Sequence, residues 1–355
     1  MRYANSALHD KPSVLIPRKG TLGNLFFADV PFWTVDTLFW TDIDESIVMP
    51  RFLYYQLMTK KLAELNVGTA VPSLTTDVLD EIELDIPSLE IQAAVVHQLA
   101  TLDDKIVLNQ QINGYLADLG ETLATRCSNE INGALDDICK QFRETVPLED
   151  AQLETYVSTE NLLPNKAGLQ LSAGLPANGK VVKYKTGDTL VANIRPYFKK
   201  IWYATHDGTC SGDVIVFRAK NARYASYMFF SLRRDAFFDH VMLGAKGTKM
   251  PRGDRKQMMA FPICTRCDPN DIKLLDELAA MIGANDAENR RLASLRDCLL
   301  PKLISGEIDV SGVDLFTRLN SHLPTVSCRR IICICISTMA KWSDKQWDGL
   351  NHYAA

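Results

Sequence analysis

The chain has 355 residues, of which 46% are hydrophobic, and carries a formal net charge of −4. This length allows two or three domains with their own cores. No run of 18 or more apolar residues predicts a membrane span, the polar N-terminus lacks the apolar segment of a signal peptide, and nine scattered cysteines predict reduced thiols in a cytoplasmic protein.

The first part of the chain predicts a strand, a basic loop, a second strand and a short helix. The strand and loop read "SVLIPRKGTLGN", and the short helix reads "FLYYQLMTKKLAEL". A junction with the pattern Gly-Thr-x-x-Pro follows at "GTAVPS". Because glycine and proline interrupt regular structure, this junction predicts the end of one domain and the entry into another element.

Residues 88–127 predict an amphipathic helix ~50 Å long at 1.5 Å per residue. Asn109 occupies the one gap in its apolar stripe, and a buried asparagine in a helix seam sets register and partner. The surrounding segment from Asp77 to Asp137 contains thirteen acids and two cations, so we expect its outer face to meet a protein. The stripe consists of Val95, Leu99, Leu102, Ile106, Ile112, Leu116, Leu119 and Leu123.

The same order of elements recurs in the second half of the chain. "DTLVANIRPYFKK" aligns with the first strand and loop at an offset of 175, and "GTKMPRG" aligns with the junction at an offset of 179. A period this long indicates a duplicated domain rather than a solenoid repeat. A second helix is predicted over 272–304, with Asn285 and Asn289 at its centre and a stripe of Leu275, Leu278, Ile282, Leu292, Leu295, Leu299 and Leu303.

The two helices are expected to pack antiparallel, because their lengths match and their asparagines then lie level. Misaligned pairing would bury an amide without a partner, at a cost of ~1–3 kcal/mol. Contacts of Leu102 or Ile106 with residues 292–299 are the predicted signature. Two separate core helices in two domains are the alternative.

A basic segment favours nucleic acid as one partner. Between Lys180 and Lys256 there are sixteen Lys and Arg against six acids, and such a block suits a phosphate backbone. Cys264 and Cys267 could form half of a zinc site, but two further ligands at matching spacing are lacking, so two ordinary thiols are the favoured interpretation. The motifs of a methyltransferase, a P-loop ATPase and a metalloprotease do not occur.

The phrases "VPSLTTDVLDEIELDIPSLEIQAAVVHQLATLDDKI" and "LRDCLLPKLISGEIDV" resemble the conserved segments of Type I restriction-modification specificity subunits over residues 12–310. The resemblance implies an α+β protein whose β-rich target-recognition domains are joined by two long antiparallel coiled-coil helices. The expected boundaries are a partial first recognition domain at 1–86, a spacer helix at 87–137, a second recognition domain at 138–265 and a second spacer helix at 266–310. Residues 311–355 match nothing in the family pattern.

The resemblance further implies a non-catalytic subunit that reads a split site in double-stranded DNA. Methyltransferase and restriction/translocase subunits would bind S-adenosylmethionine, ATP and Mg²⁺, while this chain would need no cofactor and no membrane. The helices would dock the methyltransferase, with partner-binding residues Gln92, Leu99, Leu102, Ile106, Leu116, Leu292, Leu295 and Leu299. A coiled-coil adaptor whose basic surface meets an acidic protein, or DNA without sequence preference, is the alternative.

The residues expected to contact DNA lie in the basic loops and the junctions. Arginine and asparagine can bond guanine and adenine in bidentate fashion, whereas lysine contacts phosphate. The first domain supplies Arg18, Lys19, Thr21, Thr69 and Ser73. The second supplies Asn193, Arg195, Tyr197, Lys199, Lys200, Lys246, Thr248, Lys249 and Arg252. Each of these could instead be a solvated surface residue.

Overall fold

The computed structural model describes residues 6–68, 71–127 and 130–310, and the backbone of 326–327. Its helices are α1 (Pro50–Thr59), α2 (Thr76–Asp80), α3 (Leu89–Cys127), α4 (Leu135–Ile138), α5 (Ala225–Arg233), α6 (Asp235–Leu243), α7 (Arg255–Met259) and α8 (Pro269–Ile304). Its strands are β1 (Ser13–Pro17), β2 (Phe26–Ala28), β3 (Leu38–Trp40), β4 (Asp85–Ile86), β5 (Gly133–Ala134), β6 (Cys139–Phe142), β7 (Thr145–Pro147), β8 (Tyr156–Val157), β9 (Lys180–Tyr184), β10 (Thr189–Ala192), β11 (Ile201–Tyr203), β12 (Gly208–Cys210), β13 (Val214–Ala219), β14 (Pro262–Ile263) and β15 (Val326–Ser327). None of the described helices is long and apolar enough to cross a membrane.

Residue contacts divide the chain into two compact units. Unit 1 comprises the chain up to Ile106 and again from Arg290, and unit 2 comprises Val107–Asn289. Both α3 and α8 contribute residues to each unit. The expected domain boundaries after residues 86, 137, 265 and 310 follow sequence character and stay a prediction. The tail at 311–355 lies outside the described residues, apart from the backbone of 326–327.

Unit 1 is a three-stranded antiparallel sheet covered by helices. The strand order is β2-β1-β3. Apolar residues of β1 and of α1 share one buried core with parts of α3 and α8, and this core includes Val14, Ile16, Phe52, Leu53, Leu57, Val95, Leu99, Leu300 and Leu303. Full burial of one such side chain contributes ~1.5–3 kcal/mol. The long helices are therefore part of the core of this unit.

Unit 2 contains two four-stranded sheets and their helices. One sheet has the order β11-β10-β13-β6 and is antiparallel throughout, and the other has the order β7-β9-β12-β8. The first sheet packs with α5 and α6 and with parts of α3 and α8 around an aromatic core that includes Phe217, Phe230, Phe237, Leu123 and Leu275. The second sheet has its own smaller core around Val146, Tyr156 and Val181.

The duplication predicted from the sequence is present in the elements of both units. The sheet β2-β1-β3 of unit 1 corresponds to β11-β10-β13 of unit 2, and α1 corresponds to α5. The short helices α2 and α7 lie 179 residues apart and begin with equivalent N-caps. Thr75 accepts from the Val78 amide, and the Asp254 carboxylate accepts from two amides in the first turn of α7. Unit 1 therefore repeats one of the two sheets of unit 2.

Side-chain pairs join α3 to α8 in each unit. In unit 1, Arg296 Nη1 donates to Asp103 Oδ1 at 2.8 Å, and the Tyr55 hydroxyl donates to Asp103 Oδ2 at 2.7 Å. In unit 2, Arg126 near the end of α3 pairs with Asp271 near the start of α8. Within unit 2 the partner on α8 falls from Asn289 to Asp271 as the residue on α3 rises from Asn109 to Arg126, which confirms the predicted antiparallel direction of packing. The specific contacts predicted for Leu102 and Ile106 stay a prediction.

The central asparagines of unit 2 form a polar layer within the helix pair. Asn109 is buried, and its Nδ2 donates to Asn289 Oδ1 at 2.9 Å and to Glu288 Oε2 at 2.7 Å. Asn285 Nδ2 donates to Asn113 Oδ1 at 2.8 Å. The predicted pairing of Asn109 with Asn289 is confirmed. The contribution of Asn113 was missed, although it lies one helical turn after Asn109.

The predicted apolar stripes are wrong at two positions. Leu119 on α3 and Leu295 on α8 are both 47% exposed. The neighbouring face of α3 is buried instead, because a Cβ on Gly120 would lie 2.3 Å from ring carbons of Phe230. Glycine allows this aromatic ring to lie against the helix backbone, so the buried face turns away from Leu119.

Candidate nucleic-acid interface

Two loops of unit 2 lie side by side and carry most of the predicted DNA-contact residues. The first loop, residues 193–200, follows β10, and the second, residues 246–253, lies between α6 and α7. The Arg195 amide donates to the Pro251 carbonyl oxygen at 2.8 Å. This backbone bond joins the two segments into one surface, which we call the unit 2 loop pair.

The second loop of this pair is closed at its base. The Lys246 amide donates to the Arg252 carbonyl and the Arg252 amide donates to the Lys246 carbonyl, both at 2.9 Å. Thr248 and Lys249 lie in the closed loop and are exposed. The loop therefore presents a hydroxyl and an ammonium group beyond the closing bonds.

The first loop turns through two left-handed residues. Arg195 and Lys199 both have φ of 51°, and they flank a single 3-10 turn at Pro196–Phe198. Left-handed backbone costs a non-glycine residue about 1–2 kcal/mol, so the surrounding structure must hold this conformation. The turn exposes Tyr197, whose ring packs against Phe198 at a centroid distance of 4.6 Å.

Unit 1 contains the same arrangement of loops. The Gly20 amide donates to the Pro72 carbonyl at 2.9 Å, as Arg195 does to Pro251 in unit 2. Gly20 also has a positive φ of 91°, which glycine adopts without a steric penalty. We call residues 18–21, 67–68 and 71–74 the unit 1 loop pair.

A second backbone bond confirms the equivalence of the two loop pairs. The Leu74 amide donates to the Arg18 carbonyl at 2.9 Å, and the Gly253 amide donates to the Asn193 carbonyl at 3.2 Å. The offsets are those predicted from the sequence, 175 between the first loops and 179 between the second loops. The chain therefore builds one loop geometry twice from different side chains.

Exposed cations surround both loop pairs. In unit 2, Arg252 is exposed and its Nη1 lies 3.2 Å from Asp213 Oδ1, while Lys246 Nζ lies 3.3 Å from Asp254 Oδ2 with its side chain 83% exposed. In unit 1, Arg18, Lys19 and Thr21 are exposed, and Ser73 is half-buried. Exposed ion pairs contribute ~1 kcal/mol or less, so a phosphate could replace these carboxylates at small cost. Thr69 lies outside the described residues.

Three residues predicted to contact DNA are buried or paired within unit 2. Asn193 is buried, and its Oδ1 has no hydrogen-bond partner among the described residues. Lys199 Nζ lies 3.0 Å from Asp235 Oδ1, and Lys200 Nζ donates to the Thr159 carbonyl oxygen. Burial lowers the pKa of Lys200. Burial of Asn193 argues against a direct contact with DNA, while the assignments of Lys199 and Lys200 as DNA contacts stay predictions.

Arg195 is only partly accessible in the unit 2 loop pair. Its side chain is half-buried, and its Nε has no hydrogen-bond partner among the described residues. A buried donor without a partner is costly and usually marks a functional or strained position. Its proposed role in reading a base stays a prediction.

The residues predicted to bind partner subunits divide by burial. Gln92 is fully buried, and its side chain bonds to Met49 N at 2.8 Å, Ile47 O at 2.9 Å and Pro87 O at 2.8 Å. Gln92 therefore connects the start of α3 to a neighbouring loop and does not face a partner. Leu99 is fully buried in the core and does not face a partner either, so the partner-binding assignment of both residues is corrected. Leu295 is exposed, while Leu102, Ile106, Leu116, Leu292 and Leu299 are half-buried.

An exposed apolar face of α3 was not foreseen. Leu108, Tyr115 and Leu119 are spaced seven and four residues apart, so they share one face of the helix, and they are 49%, 76% and 47% exposed. The acids of α3 are less free than predicted. Asp104 Oδ1 lies 2.7 Å from Arg51 Nη2, and Glu121 Oε1 lies 3.0 Å from Lys166 Nζ.

Cys264 and Cys267 behave as ordinary buried thiols. Cys264 and Cys267 are buried, and burial raises the pKa of Cys267 above its usual range. Within the described ranges, the His, Cys, Asp and Glu side chains form no group of three or more that could hold a metal ion.

Comparison with known proteins relates part of this sequence to DNA specificity subunits. Residues 1–116 match the family model of the Type I restriction modification DNA specificity domain. The HindI specificity subunit of Haemophilus influenzae is 34% identical over 103 residues, which is 27% of this chain and 22% of that protein. The EcoDI specificity subunit of Escherichia coli is 21% identical over 322 residues, which is 75% of this chain and 72% of that protein.

Solved structures of specificity subunits also match. An S subunit from M. genitalium has a TM-score of 0.48 at 16% identity, with 84% of each chain covered. The HsdS subunit from Thermoanaerobacter tengcongensis has a TM-score of 0.31 at 13% identity, with 86% of this chain and 84% of that chain covered. Residues 1–116 therefore carry a Type I restriction modification DNA specificity domain, and the chain is similar to known specificity subunits over 103 and 322 residues.

Proposed function

We propose that the chain reads a DNA target in two parts, one part with each loop pair. The observation that carries this proposal is the repetition of the loop pair with the same backbone bonds in both units. A repeated reading surface on one chain matches a target made of two half-sites, as the symmetry of a dimer matches a palindrome. The different side chains on the two loop pairs imply two different half-site sequences.

The exposed side chains divide into two roles. Lys19, Lys246 and Lys249 are suited to phosphate contacts, which supply affinity without sequence information. Arg18 and Arg252 are suited to bidentate bonds with guanine, and each such pair contributes about 1–3 kcal/mol of discrimination. Thr21, Ser73, Thr248 and Tyr197 provide further hydroxyls at the same surfaces.

We also propose that this chain performs no catalysis and acts in the cytoplasm with partner subunits. Methyltransferase and restriction subunits would bind S-adenosylmethionine, ATP and Mg²⁺. The support is the lack of sequence motifs for these ligands and the exposed apolar face of α3 at Leu108, Tyr115 and Leu119. An exposed apolar face of this kind is typical of a surface that another protein covers.

The test is co-expression with the methyltransferase subunit of the same system, followed by sequencing of methylated adenines. A two-part sequence common to all methylated sites is expected. Methylation that needs the partner but follows no common sequence would contradict the proposal and favour the adaptor. S-adenosylmethionine turnover by the purified chain alone would contradict the non-catalytic assignment.

Two variants test the roles of the loop residues in a duplex-binding assay. Lys249→Ala should weaken binding to target and random duplexes equally and reduce the salt slope by about one. Arg252→Ala should weaken target binding by ~1–3 kcal/mol and relax one position of the site. Lys183→Ala and Arg223→Ala are matched controls in unit 2, because both side chains lie outside the loop pair. Equal losses for the loop variants and the controls would refute the assignment of this surface.

A further inference from the structure

A chain of ion pairs links the spacer helix α3 to the first loop of the unit 2 loop pair. Glu121 Oε1 on α3 lies 3.0 Å from Lys166 Nζ, and Lys166 Nζ lies 3.2 Å from Asp235 Oδ1. Asp235 Oδ1 in turn lies 3.0 Å from Lys199 Nζ. Lys199 is one of the two left-handed residues that shape this loop. We call these four residues the tether.

The inner half of the tether is largely shielded from water. The side chains of Glu121 and Lys166 are 18% and 17% exposed, and that of Arg233 is 11% exposed. Arg233 Nε lies 3.2 Å from Glu121 Oε1, so this carboxylate faces two cations. Removing one partner from a shielded pair leaves an uncompensated charge, which costs much more than losing a surface pair.

Backbone bonds connect the same segment to the loop. The Asn165 amide donates to the Phe198 carbonyl at 2.7 Å, and the Lys166 amide donates to the Lys199 carbonyl at 2.9 Å. Arg233 Nη1 also donates to the Lys166 carbonyl at 2.8 Å. Displacement of Lys166 would therefore move the loop through its backbone as well as through its charge.

The ion pair between Lys199 and Asp235 has no counterpart at the equivalent positions of unit 1. The positions of unit 1 that correspond to Lys199 and Asp235 at an offset of 175 are Asn24 and Lys60, which cannot form this ion pair. The first loop of unit 1 turns at Gly20, which needs no support for its positive φ. The loop with two left-handed non-glycine residues is thus the one with ionic support.

We propose that Glu121, Lys166, Asp235 and Lys199 are positioning residues that set the sequence preference of the unit 2 loop pair from the spacer helix. Lys199 then holds the loop and does not contact phosphate. The proposal rests on the proposed DNA-reading function. It assigns a specificity role to residues on the helix and beneath the loop, none of which needs to touch DNA.

Asp235→Asn separates this proposal from a phosphate contact by the sign of its effect. If Lys199 contacted phosphate, removal of the neighbouring negative charge would strengthen binding to every duplex. If Asp235 is part of the tether, Asp235→Asn and Lys199→Ala both lower the ratio of target to random affinity, by ~3–5-fold, with little change in salt slope. Lys199→Arg keeps the ion pair and should retain the ratio.

The experiment measures duplex binding of the full chain at several salt concentrations. Glu144→Gln is the matched control, because it neutralises an exposed carboxylate of the same unit whose Oε1 lies 3.3 Å from Lys183 Nζ. The control should change the ratio by less than ~2-fold. Duplexes altered in one half-site should show that the tether variants relax one half of the target only. If the wild-type chain prefers the target duplex and Asp235→Asn leaves the ratio of target to random affinity unchanged, the tether is refuted and the proposed function stands.

Amide hydrogen exchange tests the tether without DNA. The Arg195 amide, bonded to Pro251, and the Lys199 amide, bonded to the Pro196 carbonyl at 2.9 Å, should exchange ~10-fold faster in Asp235→Asn and Glu121→Gln than in Glu144→Gln. If the wild-type chain prefers no duplex, the proposed function fails, and this measurement still decides the tether. Equal exchange in all three variants would refute it.

Discussion

Replacement of Asn109 by alanine probes the polar layer of the helix pair. Asn109 Nδ2 donates to Glu288 Oε2 at 2.7 Å and to Asn289 Oδ1 at 2.9 Å, and the side chain is 1% exposed. A hydrogen bond to a charged group contributes about 1.5–3 kcal/mol and a neutral one about 0.5–1.5 kcal/mol. We therefore expect Asn109→Ala to lower the free energy of unfolding of unit 2 by about 2–4 kcal/mol.

The assay is urea unfolding of the full chain, with Gln111→Ala as the control because Gln111 is exposed on the same helix. The double variant Asn109→Ala/Asn289→Ala should show a coupling energy of about 0.5–1.5 kcal/mol. A loss below about 0.5 kcal/mol with an unchanged m-value would refute the reasoning. It would mean that the layer sets the register of the helices without stabilising them.

Three further predictions concern single contacts. Gly120→Ala should destabilise the chain by about 1–3 kcal/mol in thermal unfolding despite the better helix propensity of alanine, because the added Cβ would meet Phe230 at 2.3 Å; equal or higher stability would contradict this contact. Gln92→Ala should cost about 1–3 kcal/mol by the same measurement, since three hydrogen bonds are lost, and an unchanged melting temperature would disprove that role. The hydrogen bond from Lys199 lowers the pKa of Asp235 below 3.8, so its contribution to stability is present above pH 3.8 and is lost as the pH falls through the lowered value. Wild type and Asp235→Asn should therefore differ near pH 7 and converge at strongly acid pH, and a constant difference across this range would contradict the ion pair.

Much of the architecture could be predicted because it leaves local, periodic signals. The apolar spacing of α3 and α8 follows from 3.6 residues per turn, and the repeated junctions are visible as Gly-Thr-x-x-Pro at a constant offset. The helix bounds agree within three residues with those predicted, 88–127 against Leu89–Cys127 and 272–304 against Pro269–Ile304. The exact buried face was less predictable, because Gly120 admits Phe230 from a helix more than a hundred residues later.

The sequence by itself determined the duplicated elements, the two long helices and the two loops of each unit that carry cations. Only the tertiary structure decided which of those side chains are available to a ligand. Lys199 and Lys200 resemble Lys249 in sequence, yet the first two face Asp235 and the Thr159 carbonyl, while Lys249 is exposed. The spacing of charged residues along the sequence does not show which group each of them pairs with. Ion pairing and burial depend on groups brought together by folding, so the free and the engaged lysines become distinct only in three dimensions.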